Sequence, residues 1–202
     1  MTKIKICGLM RTEDAGYINE AGVDFAGMIL TEGFRRSVSL EHALAIRRHI
    51  DASIPTVGVF VNEDIKRVIR AVKNGIVSIV QLHGNEDEKY IIDVKRKTGA
   101  KVIKAFKINS REDVMTACGS KADMILLDSG AGGGKCFDWT LLKDADRDYI
   151  LAGGLSPDNV RKAIETLHPW AVDVSSGVEF GGVKNKEKIL KFVSEVNGDY
   201  YG

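Results

Sequence analysis

The sequence predicts an α/β protein of one domain, an eight-stranded parallel (β/α)8 barrel spanning residues 1–202. Three observations predict it. Apolar, β-branched runs alternate with helix-period segments along the whole chain, as parallel strands joined by crossover helices require. The alternation repeats eight times at about 25 residues per unit, near the compact end of the ~200–400 residues usual for such barrels. Polar, chemistry-bearing residues collect at the ends of the strand-like runs, where a barrel gathers its ligand contacts. The competing architecture is an open doubly wound sheet, which normally carries a Gly-rich dinucleotide turn after its first strand; Cys7-Gly8-Leu9-Met10-Arg11 is not one.

The expected strands are Ile4 to Cys7, Phe25 to Leu30, Thr56 to Val61, Ser78 to Leu82, Val102 to Phe106, Met124 to Asp128, Tyr149 to Ala152 and Ala171 to Val174. Between the first two, Thr12-Glu13-Asp14-Ala15 opens a helix with acidic residues in its first turn, and Gly22 stops it. Ser39 with Glu41 begins the second helix, which runs to about Ile50. Asn62-Glu63-Asp64 caps the third; Ile65, Val68, Ile69 and Val72 follow at helical spacing, and Gly75 lies past its end. Ser156-Pro157-Asp158 opens the seventh, with proline in the first turn as helix starts favour.

Composition narrows the function classes. A chain of 202 residues, 44% of them hydrophobic, can bury one substantial core. Its 29 basic and 28 acidic residues nearly cancel, which argues against nucleic acid or a membrane surface as the main partner. Cys7, Cys118 and Cys136 are odd in number and widely spaced, which fits a reducing compartment better than a disulfide framework and matches no zinc motif. No apolar leader or bilayer-length stretch is visible, so a cytoplasmic location is expected. No His/carboxylate cluster has ligand spacing, and no metal is inferred.

The strand ends carry the chemistry. Cys7 stands where the first strand opens into a loop at Gly8; a lone cysteine is more often simple packing, and its placement at a barrel mouth is what favours function. Asp128 ends the apolar run Met124-Ile125-Leu126-Leu127, where desolvation suits a carboxyl to general-acid work, although aspartate also caps loops. The glycine-rich stretch from Ser129 to Lys135 lacks the spacing of a nucleotide loop and reads as a mobile loop over the site. Gly153-Gly154 and Ser175-Ser176-Gly177, after adjacent strands, suit a phosphate, since bare backbone and hydroxyls can close on it together. Arg35 or Arg36 could fork onto a substrate carboxylate, and His83 could hydrogen-bond a ligand from the fourth strand end. His42, His49 and His168 read as surface residues, and Trp139 and Trp170 as core.

Six segments in order resemble the phosphoribosylanthranilate isomerase family: Lys5-Ile6-Cys7-Gly8; Gly58-Val59-Phe60-Val61; Val80-Gln81-Leu82-His83-Gly84; Leu126-Leu127-Asp128 with the glycine run and Phe137-Asp138-Trp139; Ala152-Gly153-Gly154-Leu155; and Val172-Asp173-Val174-Ser175-Ser176-Gly177-Val178-Glu179. The resemblance implies an Amadori rearrangement of N-(5′-phosphoribosyl)anthranilate to 1-(2-carboxyphenylamino)-1-deoxyribulose 5-phosphate in tryptophan biosynthesis, without a cofactor. It implies Asp128 as the general acid that opens the ribose ring, Cys7 as the base that removes the C2′ proton, and Arg36 on the anthranilate carboxylate. His83, Gly153, Gly154, Asp173, Ser175, Ser176 and Gly177 are implied as further substrate contacts, the protein acting as a monomer or homodimer. Physical chemistry agrees on one demand: a thiol of ordinary pKa about 8.5 needs nearby positive charge to serve as a base at neutral pH. Lys5 faces the same side of its strand as Cys7, one layer deeper, and whether it supplies that charge stays open. Two alternatives remain: a sister isomerase of histidine biosynthesis, whose chemistry usually employs two aspartates where this first strand ends in cysteine, and a noncatalytic phosphosugar-binding barrel.

Overall fold

A computed structural model describes residues 1–128 and 139–198. Eight strands close into a parallel barrel in chain order: β1 (Lys3–Cys7), β2 (Phe25–Ile29), β3 (Thr56–Phe60), β4 (Ile79–Leu82), β5 (Lys101–Lys107), β6 (Met124–Asp128), β7 (Tyr149–Ala152) and β8 (Ala171–Val174). Each matches an expected strand to within a residue or so at either end. The ring is sealed where β8 meets β1, with Lys3 opposite Ala171, Ile4 opposite Val172, Lys5 opposite Asp173 and Ile6 opposite Val174.

Among the described residues, seven α-helices alternate with the strands: α1 (Thr12–Ala21), α2 (Leu40–Arg47), α3 (Ile65–Lys73), α4 (Glu88–Thr98), α5 (Arg111–Cys118), α6 (Val160–Leu167) and α7 (Lys186–Asn197). Local chemistry sets their starts. The side chains of Ser39, Asp64, Asp87, Ser110 and Asn185 each accept a hydrogen bond from a backbone N–H of the helix they precede, satisfying donors the first turn leaves unpaired. Two expectations shift. The Ser156-Pro157-Asp158 segment forms the turn before α6, whose cap position is Asn159. Between β6 and β7, the described residues hold a 3₁₀ helix, Trp139–Asp144, in place of the α-helix needed for eight equal units. Six residues ahead of the polar Ala145-Asp146-Arg147-Asp148 run are too few to repay α-helix nucleation.

The alternation of side chains along the strands separates two apolar clusters. Val57, Ile79, Ile103, Ala105, Leu126, Ile150, Ala152 and Ala171 fill the barrel interior, while residues such as Ile6, Met28, Phe60, Ile125 and Val172 point outward beneath the helices. Phe25 and Trp170, 5.9 Å apart between ring centroids, pack against the inner cluster at the N-terminal end of the barrel. Polar side chains enter the interior only toward the other end, where Lys5, Gln81 and Asp173 are buried. On the outside, buried Lys104 pairs with Glu86 at 3.0 Å and donates to the Gly84 carbonyl at 2.6 Å, which pins the loop carrying His83. Among the described residues, no helix is long and apolar enough to cross a membrane.

Phe192 of α7 is fully buried in the outer cluster. Truncating it leaves a void the surrounding strands and helices cannot fill, so Phe192→Ala should lose roughly 3–5 kcal/mol in urea denaturation.

Candidate active site

All eight strands run the same way, so their C-terminal ends share one rim, and a cavity of about 430 Å³ opens there. That volume lies within the ~300–1,000 Å³ of ordinary small-molecule sites. Cys7 from β1 and Asp128 from β6 both line it, as do Arg36 after β2 and His83 after β4. The β7 and β8 ends contribute Gly153, Gly154, Asp173, Ser175 and Ser176. Gly177 stands apart from the cavity wall. A Cβ on it would overlap the Leu155 carbonyl oxygen, so glycine here lets the loop after β8 lie directly on the loop after β7. Residues 129–135, the expected mobile loop, with Cys136 and the Phe137-Asp138 part of the last loop motif, lie outside the described residues.

Three groups of contacts organise the mouth. On the β1 side, the Lys5 ammonium, with no exposed surface, binds Asp173 Oδ1 at 2.9 Å. Burial works against the charge on Lys5, but Asp173 and Cys7 more than offset it, and its pKa is raised. Burial pushes the Cys7 thiol up; Lys5 and Lys184 draw it back, Asp173 adds to the rise, and the net direction is upward. The sequence-based demand for positive charge beside the thiol is therefore met by Lys5 and Lys184, against a desolvation penalty that outweighs them.

Across the cavity, the Gln81 amide Nε2 lies 3.0 Å from His83 Nδ1, and His83 Nε2 lies 3.6 Å from Asp128 Oδ2. With Gln81 donating, the imidazole proton sits on Nε2, facing the carboxylate. Gln81 Oε1 is buried and finds no partner among the described residues.

The third group was not legible as a site. After β8, a 3₁₀ turn (Ser176–Val178) leads into a two-strand hairpin, β9 (Glu179–Phe180) and β10 (Val183–Lys184). The Glu179 carboxylate collects three cations: Arg36 Nε at 2.5 Å with Nη2 at 3.2 Å, Arg35 Nη2 at 2.5 Å, and buried Lys184 Nζ at 2.9 Å. Burial pushes Glu179 up, but Arg36 and Lys184 overcome it and hold the carboxyl at about 2. Glu179 grips Arg36 by its Nε edge, which leaves the terminal guanidinium edge for another acceptor. Arg36 lines the cavity, whereas Arg35 is 60% exposed and reaches Glu179 from outside. Glu179 closed a quoted motif without a stated role, and Lys184 sits in a strand too short to show periodicity.

Ser175 ties the seam together. Its hydroxyl donates to the Cys7 carbonyl at 3.0 Å, and its own carbonyl accepts from Lys184 Nζ at 3.0 Å. Gly153 and Gly154 have φ of 93° and 65°, a region side-chain-bearing residues rarely adopt, and they turn the β7 loop back toward Ser175 and Ser176. Among the described residues, no group of His, Cys, Asp and Glu is arranged to hold a metal ion.

Fold and site together define an enzyme of the (β/α)8-barrel class, with a thiol, a carboxyl and a guanidinium gathered at one mouth. Residues 4–195 match the protein-family model described as N-(5'phosphoribosyl)anthranilate (PRA) isomerase, and the chain belongs to that family. It is 41% identical over 198 residues to the N-(5'-phosphoribosyl)anthranilate isomerase of Endomicrobium trichonymphae, covering 96% of this chain and 97% of the relative. Among solved structures, the phosphoribosyl anthranilate isomerase of Thermotoga maritima superposes with a TM-score of 0.87 at 38% identity, over 98% of this chain and all of that one. A phosphoribosyl anthranilate isomerase in complex with reduced 1-(o-carboxyphenylamino)-1-deoxyribulose 5-phosphate gives a TM-score of 0.85 at 37% identity, with 98% of this chain and 100% of that one covered.

The carboxyl of Glu179 titrates at about 2 in the folded chain against an ordinary 4.5. Its contribution to stability is therefore whole above pH 4.5 and is lost as pH falls toward 2. Urea denaturation of the wild type and Glu179→Gln at pH 7 and pH 3 should show the variant losing up to roughly 3 kcal/mol at neutral pH, with a flatter acid limb.

Proposed function

We propose that this chain catalyses the Amadori rearrangement of N-(5′-phosphoribosyl)anthranilate to 1-(2-carboxyphenylamino)-1-deoxyribulose 5-phosphate, a step of tryptophan biosynthesis, by general acid–base catalysis. Membership of the isomerase family supports the reaction. The observation that carries the mechanism is that Cys7 and Asp128, from the first and sixth strands, line one cavity of a size to take the substrate.

Asp128, protonated, gives its proton to the furanose ring oxygen as the C1′–O bond breaks, and the anthranilate nitrogen lone pair completes a C1′ iminium. The iminium acidifies the C2′ proton, and Cys7 as thiolate removes it; the C–H electrons form the C1′–C2′ double bond and neutralise the nitrogen. Tautomerisation of the resulting enolamine gives the C2′ ketone. An acid and a base fixed on opposite walls suit the sequence because neither step needs either group to move across the cavity. His83, beside the Asp128 carboxylate, steadies its charge after proton donation.

The remaining contacts place the substrate. Arg36 offers the guanidinium edge that Glu179 leaves free to the anthranilate carboxylate. Backbone at Gly153, Gly154 and Ser175 and the hydroxyl of Ser176 cradle the phosphate, as barrels commonly do after their seventh and eighth strands, the Ser175 hydroxyl being engaged with the Cys7 carbonyl. A ribose hydroxyl reaching Gln81 Oε1 would satisfy the buried acceptor, which has no partner among the described residues.

Loss of phosphoribosylanthranilate fluorescence with purified protein and a metal chelator tests the reading. Turnover is expected to survive chelation, and Cys7→Ala and Asp128→Asn should each lower kcat by about 10²- to 10⁴-fold with the fold intact by circular dichroism. Arg36→Met should act mainly on KM, raising it by one to two orders of magnitude. A Cys7→Ala enzyme at full rate would remove the base, and turnover of the histidine-pathway aminoaldose alone would reassign the substrate.

A further inference from the structure

Lys5 is a fully buried ammonium in the interior of the barrel, directly beneath the Cys7 thiol on the same face of β1, and the reaction as written gives it no part. A lysine charge is not carried into a protein interior without a counter-charge, and this one has Asp173 at 2.9 Å, its register partner across the β1–β8 seam. Burial alone would be served better by an apolar residue, as at neighbouring inward positions Val57 and Ile79. The adjacent strand is shaped to fit. Gly27 of β2 has no side chain, and a Cβ built there would lie 3.0 Å from Cys7 Sγ and 3.2 Å from Lys5 Nζ. Thiol and ammonium thus share the space that glycine leaves.

We propose that Lys5 is a positioning residue for Cys7: its ammonium, held in place by Asp173 and given room by Gly27, stabilises the thiolate and fixes the direction in which it faces the cavity. The proposal rests on Cys7 being the base of the isomerase reaction. The charged groups around the thiol are few and each enters the account. Lys5 on β1 and Lys184 on β10 favour the thiolate, and Asp173 on β8 disfavours it while keeping Lys5 charged. Gly27 brings no charge from β2. Arg36, whose Cδ would lie 2.6 Å from a Cβ at Gly8, is already held by Glu179, which also holds Lys184. Asp128 and His83 stand across the cavity. Lys5 is therefore the cation that no acceptor but Asp173 and the thiol itself engages among the described residues.

The test reads the thiol without substrate. Iodoacetamide alkylation of Cys7, followed by mass spectrometry of its peptide across pH 6–12, gives the midpoint of thiolate formation. In Lys5→Met the midpoint should rise by at least one pH unit, a tenfold or greater loss of alkylation rate well below it, and the acid limb of kcat/KM should move up by the same amount. Lys5→Arg should return both toward the wild type. If Lys5→Met does not fold, the Lys5→Met/Asp173→Asn pair removes the unpaired carboxylate too, and its midpoint should still exceed that of the wild type. A second measurement needs no variant: in ¹⁵N-lysine spectra of the wild type, the Lys5 resonance should move when Cys7 is alkylated. An unmoved midpoint in whichever variant folds, or a Lys5 resonance indifferent to alkylation, overturns the proposal. A shifted midpoint in a protein that turns over no phosphoribosylanthranilate would sink the isomerase mechanism and leave the Lys5–Cys7 coupling standing.

Discussion

Closure of β8 onto β1 is the constraint from which the mouth of this barrel follows. Residues some 168 apart in sequence become register partners, and every polar contact on that side depends on the match: Lys5 with Asp173, and the Ser175 hydroxyl with the Cys7 carbonyl. A one-residue slip would turn Asp173 outward beneath the helices and leave an ammonium alone among apolar side chains. The ion pair adds little net stability once desolvation is counted. It does make the correct register the only one without an unpaired buried charge, so the same contact that discriminates against misalignment also sets the surroundings of the thiol.

The far wall is built differently. Asp128 is reached through the Gln81 amide and the His83 imidazole, while Lys104 and Glu86 brace the loop carrying His83 from outside the barrel. The third wall is a carboxylate, Glu179, with three cations on it. One residue thereby restrains Arg36 and anchors the hairpin after β8. The mouth is thus divided into a thiol beside an ion pair, a carboxyl beside an imidazole, and a guanidinium held from behind.

Much of this was readable in advance because a parallel barrel writes its strands as apolar runs buried on both faces. All eight were placed, β6, β7 and β8 with both ends correct, and alternation put Lys5 on the same side as Cys7. What escaped was held by short or irregular pieces. The six-residue 3₁₀ helix before β7 carries too few turns for a helical period to distinguish it from an α-helix. Arg35 and Arg36 lie in a loop, where no alternation says which turns toward the cavity, and both are held by a glutamate more than 140 residues away that no local pattern connects to them. Glu179 and Lys184 face each other across a two-residue hairpin, a pairing that no local pattern announces.

The Lys5–Asp173 pair also bears on how the chain reaches its fold. Until the last strand docks, a partly built ring carries a lysine on its inner face with no anion to meet it, and that half-assembled state pays the desolvation in full. A ring lacking β8 would avoid that cost only by leaving the ammonium open to water, and would gain nothing by closing on an apolar neighbour. The contact most distant in sequence is thus also the one that disfavours closure before the last strand is in place.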